Sequence, residues 1–131
     1  MMQYPLGVHH KDTIASKTGK KLTDITLEEV LKGHVSSDDI KISKDTLKAQ
    51  GQVAAENGNA PMEKNFERAA ELVDVPDDVI LKMYDKLRPN RSTKKELVEI
   101  ARELADTYHA YNCAKLVLEA AEVYEKRGIL L

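Results

Sequence analysis

Asn65-Phe66-Glu67-Arg68-Ala69-Ala70-Glu71-Leu72, followed by Val75-Pro76-Asp77-Asp78 and then by Leu87-Arg88-Pro89-Asn90-Arg91-Ser92-Thr93, is the run that decides the fold. Its apolar positions, read from Met62 through Phe66, Ala69, Ala70 and Val73, fall at the i, i+4, i+7, i+8, i+11 spacing of one helix face. Pro76 cannot continue that helix but can open another, and Asp77 and Asp78 then sit at the positive end of the new one. Val79, Ile80, Met83, Tyr84 and Leu87 make its apolar face, and Arg88-Pro89 closes it. Thr93 with Glu96 has the capping-box spacing that starts a third helix. Helix, stop, restart and corner follow one another without a strand between them.

Beyond the corner lies the longest element. Leu97, Ile100, Ala101, Leu104, Tyr108, Tyr111, Ala114, Leu118 and Ala121 form one stripe, with Cys113, Val117, Ala120 and Tyr124 beside it. Lys126, Arg127 and Gly128 supply a C-terminal signature. Unbroken from Lys94 to Lys126, this helix would have 33 residues and run ~50 Å, longer than a domain of this size is wide. A kink between Tyr108 and Asn112 would shorten it; otherwise one end projects or lies on another chain.

On the other side, Asn59-Ala60-Pro61 restarts the chain after a helix that Ser43 can cap and that runs to Asn57-Gly58. Ser36-Ser37-Asp38-Asp39 reads as a short capped turn, and Ile40-Lys41-Ile42 is the one stretch with a strand-like alternation. Thr26 and Glu29 have capping-box spacing, Ile25 and Val30 have staple spacing, and Gly33 ends that helix after two turns. Residues 1–24, with Pro5, Gly7 and Gly19, show no period and read as an extended arm. The expectation is an all-α chain: an N-terminal arm at 1–24, then one small helical domain at 25–131 with a long C-terminal helix.

Composition agrees. At 131 residues the chain fits one domain. Leu, Ile, Val and Phe make up about a quarter of it, above the ~20% below which disorder is expected. With one Phe, five Tyr and no Trp, the core is aliphatic. Charged residues reach 32%, above the usual ~25%, which suits a frame that completes its burial against a partner. A formal net charge of −2 gives no general attraction to phosphate backbones or anionic lipid. The lone Cys113 fits a reducing cytoplasm, and no apolar run reaches the ~18 residues of a membrane span.

No residue pattern assembles a catalytic device. His9 and His10 are adjacent and diverge, and neither His34 nor His109 has a Glu or His at the i+3 or i+4 spacing of a helical metal site. His109 stands four residues before Cys113 without a third orienting group, so Cys113 reads as a small buried hydrophobe. Asp38-Asp39 and Asp77-Asp78 are explained by helix N-termini, and Glu119, Glu122 and Glu125 interleave with Lys115 and Lys126 as a solvated face. Gly19-Lys20-Lys21 lacks the upstream Gly of a phosphate loop, because Ile14 stands there. Arg88, Arg91, Lys94 and Lys95 are the one basic cluster, without interleaved aromatics, and suit an interface better than nucleic acid.

The run from Asn65 to Thr93, together with Tyr4-Pro5-Leu6 and Leu22-Thr23-Asp24-Ile25-Thr26-Leu27-Glu28, resembles the small subunit of the adenosylcobalamin-dependent diol and glycerol dehydratases. Val75-Pro76-Asp77-Asp78 and Arg91-Ser92-Thr93-Lys94 are similar to the diol-type members, while Asn90 stands where those lead one to expect an aromatic residue. The resemblance implies a lyase in which large, medium and small subunits form a dimer of heterotrimers. That enzyme converts 1,2-diols such as propane-1,2-diol and glycerol to aldehydes by radical hydroxyl migration and loss of water. It also implies that adenosylcobalamin is bound by the partner subunits, that the active site is on the large subunit, and that the small subunit supplies no catalytic, cofactor-binding or metal-binding residue. The partner-facing residues expected from the run are Phe66, Arg68, Arg88, Pro89 and Arg91. A cytoplasmic location follows, with neither nucleic acid nor membrane as partner. The chain begins at the Tyr-Pro-Leu region, without the longer N-terminal extension that is associated in some relatives with packaging into a bacterial microcompartment. The alternative reading is a stand-alone helical adaptor that binds another protein through its C-terminal helix.

Overall fold

Side-chain caps at Thr26, Ser43, Asn59 and Thr93 start four of the helices. A computed structural model describes residues 2–131, and the chain divides into two compact units, Met1–Val73 and Asp74–Leu131. Its helices are α1 (Leu6–His9), α2 (Leu27–Leu31), α3 (Lys44–Glu56), α4 (Ala60–Leu72), α5 (Asp77–Lys86), α6 (Lys94–Asp106) and α7 (Tyr111–Arg127). Short 3-10 turns at Leu22–Asp24 and Ser37–Ile40 join them. The described residues contain no strand.

The first unit is built on the hairpin of α3 and α4. Ser43 accepts from the Thr46 amide at 3.2 Å and Asn59 accepts from the Met62 amide at 3.2 Å, so each helix starts on a side-chain cap. Gly51, buried in α3, lets the pair come close: a Cβ there would lie 3.1 Å from the Phe66 Cβ. Before the hairpin the chain is held by scattered polar contacts. Lys17 Nζ donates to the Val73 carbonyl at 2.7 Å, Thr18 Oγ1 donates to Asp39 at 2.7 Å, and isolated antiparallel bridges pair Ala15 with Lys21 and Ser16 with Ile42. The strand-like reading of Ile40-Lys41-Ile42 therefore shrinks to a single bridge, because Ser36 and Asp39 close a capping box that winds 37–40 into a 3-10 turn.

The second unit carries the larger share of the core. Leu97, Ala101 and Leu104 of α6 and Cys113, Ala114, Val117 and Ala121 of α7 are buried, with Val75, Met83 and Ala110. The 33-residue helix is interrupted inside the stretch where a kink was expected. His109 turns left-handed (φ 53°), the Ala110 amide reaches back to the Leu104 carbonyl at 2.8 Å, and Ala110, fully buried, begins α7. The interruption resets the helical phase. Tyr111 and Leu118, which belong to the single stripe of an unbroken helix, are therefore 62% and 44% exposed. Gly128, left-handed at φ 68°, ends α7 as its signature required.

Candidate functional site

The corner between α5 and α6, residues 87–93, is the most heavily fastened feature of the second unit. A helix leaves its last four carbonyls without intrahelical partners, and here each finds one. The Leu87 amide bonds the Met83 and Tyr84 carbonyls, and the Arg88 amide bonds that of Asp85. Ser92 Oγ donates to the Lys86 carbonyl at 2.7 Å, and Tyr124 Oη of α7 donates to that of Leu87 at 2.7 Å. The C-terminal tail completes the lock: the Asn90 amide donates to the Ile129 carbonyl and the Leu131 amide to the Ser92 carbonyl. Asn90 is left-handed at φ 59°, a conformation that Asn tolerates better than most side chains. This gives a local reason for Asn where an aromatic residue was expected.

The charges around the corner are paired across elements. Thr93 and Glu96 form the full capping box that their spacing predicts, and the Glu96 carboxylate also takes Lys86 Nζ at 3.1 Å. The amide of Thr93 first, then the Lys86 ammonium, hold the Glu96 carboxyl below its ordinary range. Lys94 Nζ meets Glu125 of α7 at 2.5 Å, which raises the lysine, so Glu125 ties two helices together as well as belonging to a solvated face.

Of the five residues expected to face a partner, the structure groups three. Arg88, Pro89 and Arg91 are exposed at the corner; Arg88 leans on Asp85 at 3.3 Å, while Arg91 makes no ion pair among the described residues. Phe66 and Arg68 belong to α4 in the other unit. Phe66 is half-buried against Gly51 and Arg68 bonds Asn65.

The other candidates keep structural roles. The Thr26 hydroxyl accepts from the Glu29 amide, yet the Glu29 carboxylate turns to His34 Nδ1 at 2.8 Å rather than completing the box, so half of the expected cap forms. His109 meets the Tyr111 hydroxyl at 3.1 Å and stands in the loop before α7, off the helix that carries Cys113. Asp39 is held below its ordinary range chiefly by the Ser36 amide, then by the Thr18 hydroxyl. Asp77 and Asp78 occupy the first turn of α5.

Both units carry surface depressions, one of them, of about 360 Å³, lined by Met2, Gln3, Tyr4, His9, Glu56 and Asn57. A groove of about 300 Å³ between α5 and α6 is lined by Val79, Met83 and Ile100, with Lys82 and Lys86 opposite Glu96, Glu99 and Glu103. Lys86 pairs with Glu96 there, the glutamates outnumber the lysines by one, and the groove holds neither thiol nor imidazole. A depression of about 470 Å³ in the first unit is lined by Tyr4, Leu6, Gly7, Val53, Ala54 and Phe66 with the Gln50 amide. That is the size of a site for an ordinary small ligand, ~300–1,000 Å³. A corrin ring with its nucleotide and adenosyl arms is several times larger than this depression, which by itself does not enclose adenosylcobalamin. No three His, Cys, Asp or Glu side chains gather to hold a metal among the described residues. None of their helices is long and apolar enough to cross a membrane.

Sequence reasoning missed the outer face of α2. Leu27, Val30 and Leu31 lie at i, i+3 and i+4 on a helix of five residues that buries none of them. Val30, at staple spacing from Ile25, is 46% exposed. Their spacing marks the three as one helix face but does not say whether that face turns inward.

Such a chain is a small helical protein whose exposed corner at 87–93 is fastened by bonds from α7 and from the C-terminal tail. It belongs to the dehydratase small-subunit family, whose described match spans residues 1–131. It is similar to the propanediol dehydratase small subunits of Citrobacter freundii and Salmonella typhimurium. Each is 47% identical over 124 residues, which cover 95% of this chain and 72% of the relative. Those relatives are subunits of a lyase.

Proposed function

We propose that this chain is the small, non-catalytic subunit of an adenosylcobalamin-dependent diol dehydratase, assembled with large and medium subunits as a dimer of heterotrimers in the cytoplasm. The enzyme removes water from a 1,2-diol to leave an aldehyde, with propane-1,2-diol as the first substrate to test and glycerol as the second. The observation that carries this reading is the family match along the whole chain, with 47% identity to propanediol dehydratase small subunits. Cofactor and diol are held by the companion subunits, and no chemical step is routed through a side chain of this one. Its contribution is a fixed surface. At the Arg88-Pro89-Asn90-Arg91 corner two guanidinium groups project from a backbone that α7 and the C-terminal tail immobilise, and Phe66 and Arg68 supply a second contact from α4. Arg on a rigid frame loses little freedom on binding, which favours it at interfaces.

The test is co-expression with large and medium dehydratase chains, pull-down through any one of them, and an aldehyde assay with adenosylcobalamin, with and without this chain. A three-component complex is expected, whose yield drops when Arg88 and Arg91 are both replaced by Ala. Turnover or tight corrinoid binding by the isolated chain would refute the proposal, as would a chain that never co-purifies. Full complex yield from the double Ala variant would remove the corner from the interface.

A further inference from the structure

We propose that Asn57 is a covalent ageing site: its side-chain amide is lost through attack by the Gly58 backbone nitrogen, and the turn between α3 and α4 sets the rate by holding the reacting atoms apart.

The chemistry begins in the sequence. An asparagine closes a five-membered ring on the next backbone nitrogen most easily when Gly follows, because Gly has no side chain to crowd the ring and the freest backbone. Asn57-Gly58 is the one such pair; Asn59, Asn65, Asn90 and Asn112 precede Ala, Phe, Arg and Cys. In the reaction the Gly58 nitrogen bonds to Asn57 Cγ and gives up its proton, and Nδ2 leaves as ammonia. Water then opens the imide ring. Cleavage at Cγ leaves aspartate at position 57, and cleavage at the main-chain carbonyl leaves isoaspartate, whose backbone runs through Cβ. One water is consumed and one ammonia is released, with no oxidant or reductant.

The structure exposes this pair and holds it in an unreactive form. Asn57 and Gly58 are exposed, and Asn57 lines the depression of about 360 Å³, so water reaches it. Three hydrogen bonds oppose the reaction. Asn57 Nδ2, the leaving group, donates to the Val53 carbonyl at 2.7 Å. The Gly58 amide, the nucleophile, donates to the Ala55 carbonyl at 3.0 Å, and the Asn59 amide to the Ala54 carbonyl at 2.9 Å. With Gly58 left-handed at φ 83°, the last two make the full glycine-ended closure of a helix C-terminus. Ring closure also needs the Gly58 nitrogen to eclipse Asn57 Cβ about the Cα–C bond. At ψ 18° it stands close to eclipsing the Asn57 nitrogen instead, so the bond must turn and the closure must open first. Each hydrogen bond shifts such an equilibrium by roughly twofold to tenfold. Local opening of an exposed turn is more frequent than global unfolding, so the folded chain reacts slowly rather than not at all.

Modification then weakens the hairpin that restrained it. A carboxylate cannot donate to the Val53 carbonyl, and it adds negative charge beside Glu56 at the end of α3 where the helix dipole disfavours it. Isoaspartate lengthens the main chain ahead of Asn59, whose side chain caps α4.

The experiment uses the full chain, held at one pH and temperature in buffer, in urea below the unfolding transition, and in unfolding urea. Peptide mapping by mass spectrometry follows conversion at each asparagine. Asn57 should react first in the unfolded chain and at least tenfold more slowly in buffer, with a rate that climbs as urea approaches the transition. Gly51→Leu, which forces α3 away from Phe66 of α4, should speed the reaction in buffer severalfold and leave the unfolded rate unchanged. Asn57→Asp, made directly, should lower the urea midpoint. Equal rates in buffer and in unfolding urea, or another asparagine reacting first in the unfolded chain, would overturn the proposal. So would a rate in buffer that neither urea nor a folded Gly51→Leu raises; if Gly51→Leu fails to fold, the urea series decides. An Asn57→Asp midpoint equal to wild type would overturn the claim that modification weakens the hairpin.

Discussion

Replacing Ser92 by Ala should destabilise the second unit out of proportion to the single oxygen removed. Ser92 is 1% exposed, and its hydroxyl donates at 2.7 Å to the carbonyl of Lys86, the last residue of α5. Ala fits without strain, so no clash or large cavity arises. The consequence is confined to a carbonyl that loses its donor where water does not reach the vacated position. An unsatisfied buried group costs about 1–3 kcal/mol, and part of that relaxes as the chain shifts, so about 1–2 kcal/mol is expected. Tyr124→Phe removes the companion bond to the Leu87 carbonyl, but Tyr124 is half-buried. Water can replace its hydroxyl, and the cost should fall to about 0.5–1 kcal/mol. Urea unfolding followed by circular dichroism measures both. With a slope of about 2 kcal/mol/M, Ser92→Ala should lower the midpoint by about half to one molar and Tyr124→Phe by less. Ser37→Ala, exposed on the 3-10 turn, should leave it unchanged. A Ser92→Ala midpoint equal to wild type, or a larger loss for Tyr124→Phe, would refute the reasoning that the corner is held by satisfying the carbonyls of α5.

Glu96 should govern the acid limb of stability. Its carboxyl is held low by the Thr93 amide and Lys86. The contribution is therefore present above the unfolded value of about 4.3 and is lost as pH falls through the lower folded value. Glu96→Gln should flatten the decline of the urea midpoint below about pH 4.5, and parallel pH profiles for variant and wild type would count against the cap. At Gly51, Ala gains up to ~1 kcal/mol of helix propensity but places a methyl 3.1 Å from the Phe66 Cβ. The two effects oppose one another and Gly51→Ala should be near neutral. Gly51→Leu has no such offset and should lower stability by about 1–3 kcal/mol. Equal midpoints for Leu and Gly would mean that α3 and α4 do not approach closely there.

Much of the helical order was legible because it rests on local signals. Ser43, Asn59 and Thr93 each cap the helix that their position announced, and Gly33 and Gly128 end theirs in the left-handed conformation. The break before α7 was the harder case. Between Asp106 and Asn112 there is neither Gly nor Pro, and the turn uses His109 in a conformation its sequence does not advertise. Length alone pointed to an interruption, through the width of a domain. Periodicity could not locate the phase reset, because stripes drawn through Tyr111 and Leu118 look as good as the true face of Cys113, Val117 and Ala121. The two readings differ by one small rotation, and burial decides between them.

The candidate surfaces divide along the same line. A corner is local, so Arg88, Pro89 and Arg91 could be read as exposed and rigidly placed, although the bonds from Tyr124 and the C-terminal tail that make them rigid come from far along the chain. The face of α2 was illegible for the opposite reason. Periodicity marks which residues of a helix share a side, and a reader of one chain assumes that this side turns inward. Leu27, Val30 and Leu31 carry the same signal as Leu97, Ala101 and Leu104, yet the first set stays in solvent while the second is sealed. What separates them is whether this chain has a second apolar surface within reach, and that is a property of the fold. An apolar stripe that finds no mate within its own fold can be recognised only once the fold shows which stripes have been answered.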